Sequence, residues 1–103
     1  MYALHVTFTT SASAAELRPG QLAFAEHVGA VPGFVSKTWL HDGTAHGGFY
    51  LFTDREAAQA YLDGPLFAML RGNPAFADLT ARGWAVDTEL GALTGAGTAG
   101  AVR

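Results

Sequence analysis

Lys37 is the only lysine in a chain of 103 residues, and it stands inside "VPGFVSKTWLHDG", residues 31–43, among apolar neighbours. Its amine has two readings. On an edge strand a lysine discourages edge-to-edge aggregation. In a pocket its ammonium could hold a phenolate or carboxylate, and burial would lower its pKa until it could act as a base. Trp39 shares the face of Lys37 if the segment is a strand. It could receive a cation–π contact, form a flat wall for a ring-shaped ligand, or pack in a dimer core. His5 lies in the middle of "YALHVTFT". Its imidazole titrates near neutrality and could deprotonate an acidic phenol or enol, or it could serve only as a structural hydrogen-bonding group. Tyr61 could donate a hydrogen bond to a substrate oxygen, or be a core tyrosine.

Other chemistries are excluded or weak. With no cysteine, disulfides, thiolate nucleophiles and Cys-ligated metals are absent. His41, Asp42 and His46 lie in a glycine-rich stretch with no spacing that would converge them on a metal. No histidine stands on the second helix to act as an axial haem ligand, so no cofactor is expected. "GAGTAG", Gly95 to Gly100, fits G-x-G-x-x-G, but it lacks the preceding strand and following helix that a dinucleotide site requires. Nine acids against six bases give a net charge of −3, and the five arginines are scattered. Nucleic acid is therefore an unsuitable partner. No apolar run is long enough to cross a membrane, and the first ten residues lack signal-peptide character. The expectation is a cytoplasmic protein.

Half the residues are hydrophobic and 12% aromatic, which suits one packed domain. Tyr2 to Thr9 alternates with period 2 and predicts a strand. A first helix follows, with Pro19 in its first turn and Leu22, Ala25 and Val28 as its stripe, joined by Phe24 and Val31. "VPG" ends it. Phe34 to His41 and Gly48 to Thr53 read as the second and third strands, joined by "HDGTAHGG". Thr53 or Asp54 can cap a second helix, and Thr53 with Glu56 has the form of a capping box. A short helical piece covers Leu66 to Leu70, a last strand Ala81 to Thr88, and a Gly/Ala-rich tail residues 91–103. The order β-α-β-β-α-β is that of an α+β ferredoxin-like domain, residues 1–90, with a four-stranded antiparallel sheet and two helices on one face. Two modest helices cannot bury all the sheet aromatics, so two sheets are expected to meet across a dimer axis.

"PGFVSKTW", "GGFYLFTDREAAQAYL" and "ARGWAVDTEL" together resemble the YdhR-like family of monooxygenases, in the dimeric α/β-barrel superfamily that also holds the antibiotic-biosynthesis monooxygenases. The similarity runs from His5 to about Leu93, and its most specific part is the "GGxYLFTD" segment with the alanine-rich helix after it. His5, Lys37, Trp39, Gly47, Gly48, Tyr50 and Tyr61 fall on matching positions. The resemblance implies a homodimer with a small-molecule pocket between sheet and helices. In the quinone-forming branch an Asn on the third strand and a Trp at the start of the second helix belong to the site. Leu51 and Arg55 align there, and only the helix tyrosine, Tyr61, is retained.

The resulting expectation is a cofactor-independent monooxygenase acting on an aromatic or polyketide-like molecule, with His5, Lys37 and Tyr61 catalytic. Phe24 and His27 of the first helix, Trp39, Phe49 and Leu51 of the strands, Phe67 and Trp84 are expected to line its pocket. By analogy with the quinone-forming branch, Phe49 and Leu51 face that pocket. A cyclase or isomerase could use the same residues, and a non-catalytic ligand-binding module is a third reading.

Overall fold

The structure is a computed structural model that describes residues 1–96. The strands are β1 (Tyr2–Thr9), β2 (Phe34–Asp42), β3 (Ala45–Phe52) and β4 (Ala77–Ala85). The helices are α1 (Ala14–Gly29), α2 (Arg55–Leu62), α3 (Pro65–Arg71) and α4 (Thr88–Leu93). The sheet is four-stranded and antiparallel, in the order β2-β3-β1-β4, as the ferredoxin-like reading requires.

The ends of the elements differ from expectation for local reasons. Helix α1 starts at Ala14 because Ser13 and Glu16 cap it reciprocally: Ser13 Oγ accepts from Glu16 N at 3.1 Å, and Glu16 Oε1 accepts from Ser13 N at 2.7 Å. Pro19 consequently lies inside the helix rather than in its first turn, where its missing N–H forgoes one backbone bond. Leu22 is 58% exposed; the buried stripe runs instead through Phe24, Val28 and Val31, four and three residues apart. Gly43, at φ +71°, lets β2 turn into β3 within two residues, so Ala45 to Gly47 join the strand instead of a long loop. Asp54 alone caps α2, accepting from Ala57 N at 2.8 Å. Strand β4 begins at Ala77, four residues earlier than Ala81, and pairs along β1 through a bulge where Asp78 takes φ 56°. Asp87 then caps α4, so Gly91 to Leu93 close a short helix instead of opening a tail. Residues 97–103 of the expected tail, and with them most of Gly95–Gly100, lie outside the described residues.

Alternation gives the sheet two faces. Leu4, Val6, Tyr50 and Phe52 point to the helices and form the core with Val28, Ala58, Tyr61 and Phe67. Phe34 meets Phe52 edge-on at 6.0 Å. The opposite face carries His5, Phe49, Leu51, Arg82 and Trp84, which follow from the register His5↔Phe49, His5↔Arg82 and Ala3↔Trp84. Phe49 is 40% exposed and Trp84 46%. Arg82 lies 3.9 Å from the centre of the Trp84 ring.

Gly33 ties α1, β2 and α2 together. Its φ of +79° suits glycine, and a Cβ there would come within 2.5 Å of Ala57 Cβ. Its carbonyl accepts from Thr53 N at 2.8 Å, which sets the entry to α2.

Candidate functional site

Lys37 pairs with Tyr50, and Trp39 with Gly48, across the β2–β3 hairpin. All four therefore lie on the helix side of the sheet, with the residues of the core. Although β2 is an edge strand, Lys37 does not guard that edge. Its side chain folds back along the sheet, with Nζ 3.4 Å from the Trp39 ring centre. Phe24, reaching down from α1, and Tyr50 complete a three-ring cage, each with its centre 4.6 Å from Nζ. Phe24 also meets Trp39 edge-on at 6.1 Å, which fixes the cage wall.

The floor of the cage is Gly48, which is buried. A Cβ at this position would collide with Lys37 Cε and lie 3.3 Å from Nζ. The missing side chain is the space the lysine occupies.

Among the described residues the amine has no charged partner to offset its desolvation. Burial lowers its pKa from the ordinary 10.5 to about 7, and no carboxylate contributes. The result is an amine close to its titration midpoint at neutral pH, held against flat aromatic surface.

Behind the cage, the Tyr61 hydroxyl donates to the Tyr50 hydroxyl at 3.0 Å. Burial raises the Tyr50 pKa to about 12, and burial together with Tyr50 pushes Tyr61 higher still. Both phenols stay protonated at neutral pH. The bond uses Tyr50's oxygen as acceptor and leaves its own proton free for a further acceptor. Phe67 packs edge-on against Tyr61 at 5.5 Å and is 2% exposed, so it supports the tyrosines from within the core.

The expected residues thus divide into separate groups. Lys37, Trp39, Phe24 and, through Tyr50, Tyr61 come together. His5, Phe49, Leu51 and Trp84 lie on the far face of the sheet, and the sheet itself separates them from the Lys37 amine. Phe49 and Leu51 alternate out of phase with Tyr50 and Phe52, so the expectation that they face the pocket is corrected. A polar group from the third strand comes from Tyr50, and Arg55 borders a different, 90 Å³ hollow with Tyr2, Gln59 and Gly83. His27 is exposed in the last turn of α1, outside the cage.

Tyr50 and Gly48 are the members that sequence reasoning did not assign to the site. Their signal was the alternation of Gly48 and Tyr50 in step with Trp39 and Lys37, read across the hairpin. Farther along the same face, Phe8 stacks with His46 at 5.9 Å and His46 with His41 at 6.3 Å. Among the described residues no cluster of three or more His, Asp or Glu could hold a metal ion.

Comparison with solved structures places the fold. SnoaB from Streptomyces nogalater, a cofactor-independent oxygenase solved in a mutant form, superposes with a TM-score of 0.68. It is 19% identical, over 84% of this chain and 92% of its own. NE2512 from Nitrosomonas europaea, a protein of unknown function, gives 0.71 at 22% identity, over 84% and 88%. The monooxygenase from the ActVA-Orf6 gene of Streptomyces coelicolor, in complex with nanaomycin D, gives 0.61 at 24% identity, over 82% and 86%. Identities this low establish a shared fold. No curated protein matches the sequence. The family model described as "Putative mono-oxygenase ydhR" matches residues 3–97, nearly the full length, and the chain belongs to that family.

Proposed function

We propose that the protein oxygenates a flat, electron-rich aromatic or polyketide-like molecule with an acidic phenol or enol, without a cofactor. The observation that supports this reading is the Lys37 amine, held over Trp39 and between Phe24 and Tyr50 without a counter-ion among the described residues. As the free base it takes the acidic proton; as the ammonium it then holds the phenolate or enolate. The Tyr50 hydroxyl, steadied by Tyr61, donates a hydrogen bond to the same oxygen. Stacking on Trp39 aligns the rings.

The carbanion transfers an electron to dioxygen, and the radical pair combines to a peroxide. Loss of water leaves a quinone carbonyl, so one oxygen atom enters the product and the other leaves as water. For anthrone as a probe, one dioxygen gives one anthraquinone and one water. The protein supplies a base, an anchor and exclusion of bulk water.

The working form we propose is a cytoplasmic homodimer. The sheet face opposite the helices exposes Leu40, Phe49 and Trp84, and a second sheet would cover it. No helix among the described residues is long and apolar enough to cross a membrane.

The test is anthrone oxidation with purified protein, in air and under nitrogen. Acceleration that requires dioxygen supports the reading. Turnover under nitrogen would replace it with acid–base chemistry, a cyclase or isomerase, at the same amine; binding without turnover would leave a ligand-binding module.

A further inference from the structure

We infer that Gly48 is the positioning residue of the site: its missing Cβ is the slot that lets the only lysine lie across the sheet into the ring cage. The inference rests on Lys37 being the working group, and on nothing about the reaction it performs.

Three observations converge on position 48. It is buried in the middle of β3, where glycine has no turn to make and weakens the strand. Its φ is not of the left-handed kind, so backbone conformation does not call for glycine. The space where a Cβ would stand is filled by Lys37 Cε, with Nζ at 3.3 Å and Tyr50 Cε1 at 3.2 Å. Close approach of another group is then the remaining reason for a strand glycine, and the approaching group is the amine-bearing side chain.

The neighbours also fix which group would yield. Tyr50 is 1% exposed and bonded to Tyr61, so it can give only a few tenths of an ångström. The lysine terminus is the far end of a long flexible side chain, and Lys37 is only partly buried. Alanine at 48 should therefore leave the fold intact and expel the amine from the cage. The titratable group facing Lys37 from the sheet is Tyr50, with Tyr61 of α2 behind it. From α1 the facing group is the Phe24 ring, and no charged group contributes to the lysine's titration.

A single lysine gives an unambiguous readout. Protein labelled with 13C-lysine shows one Cε–Hε correlation, displaced upfield by ring currents while the chain end lies on Trp39. Titrating that signal reports the amine directly, without substrate. In folded Gly48→Ala the signal should lose its ring-current displacement, and its midpoint should rise toward that of ordinary lysine. Gly29→Ala is the control, because nothing lies within 4 Å of a Cβ at that position. An unchanged signal in folded Gly48→Ala overturns the inference.

Stability provides the second arm. Gly48→Ala should cost stability with Lys37 present, and little or nothing in a Lys37→Ala background, where the slot is vacant. If Gly48→Ala alone fails to fold, rescue by Lys37→Ala supports the slot, and failure of rescue overturns it. Neither arm involves turnover, so the inference can stand if the oxygenase reading falls, and fall if it stands.

Discussion

Replacing Lys37 by methionine should stabilise the fold at neutral and acidic pH, and the gain should fade as the pH rises. The side chains have similar length and shape, but methionine carries no charge to desolvate. In the unfolded chain the amine stays protonated up to its ordinary 10.5, whereas in the fold it loses its proton at about 7. Between those values the unfolded state binds more protons, so the stability of the natural protein climbs with pH. The slope approaches about 1.36 kcal/mol per pH unit for one proton. The penalty is complete below about pH 7 and gone above about pH 10.5. A fall from 10.5 to about 7 corresponds to something on the order of 5 kcal/mol. The variant should therefore be more stable by ~5 kcal/mol at about pH 6, and nearly level with the natural protein at about pH 10. Urea unfolding of both proteins across that range measures the gap, and groups common to both cancel in the difference. A gap that does not shrink with pH, or a natural protein more stable than Lys37→Met at low pH, refutes the desolvated amine.

Tyr61→Phe removes the donor of the buried 3.0 Å bond to Tyr50 and should cost about 1–3 kcal/mol in chemical unfolding. A variant as stable as the natural protein would show that the bond does not form. Asp54→Ala removes the sole side-chain cap of α2 and should cost about 1 kcal/mol, read as a lower urea midpoint. Gly33→Ala combines a φ of +79° with a 2.5 Å approach to Ala57 Cβ, so it should destabilise by more than about 1 kcal/mol. Phe49→Asp combined with Trp84→Asp should convert the proposed dimer into a folded monomer, read by sedimentation. Unchanged sedimentation would remove the sheet face as the interface.

The fold was legible because each strand declares its period. Tyr2–Thr9 alternates cleanly, and "TDRE" announces the helix that Asp54 caps. Strand ends were less legible, since Ala45, His46 and Gly47 look like loop until Gly43 is seen to turn the hairpin in two residues. The faces were not legible at all. Period 2 says that Lys37 and Trp39 travel together, but which side meets the helices depends on how α1 and α2 dock. That is a long-range fact no local window contains. For the same reason Phe49 and Leu51 were expected inward, when a one-residue change of phase hands the helix side to Tyr50 and Phe52. His5 shows the limit of residue type: its imidazole suits the chemistry, but the sheet stands between it and the amine.

In the proposed reaction Lys37 is the base that starts oxygen chemistry. Its most direct test is dioxygen uptake with anthrone by the natural protein, Lys37→Met and Lys37→Arg, each shown to be folded. Arginine keeps a cation over Trp39 but cannot take a proton at neutral pH. General-base catalysis contributes about 100-fold or more, so both variants should lose at least that factor in kcat, with uptake and anthraquinone formation falling together. Undiminished uptake by either variant would contradict the role of Lys37 as the base.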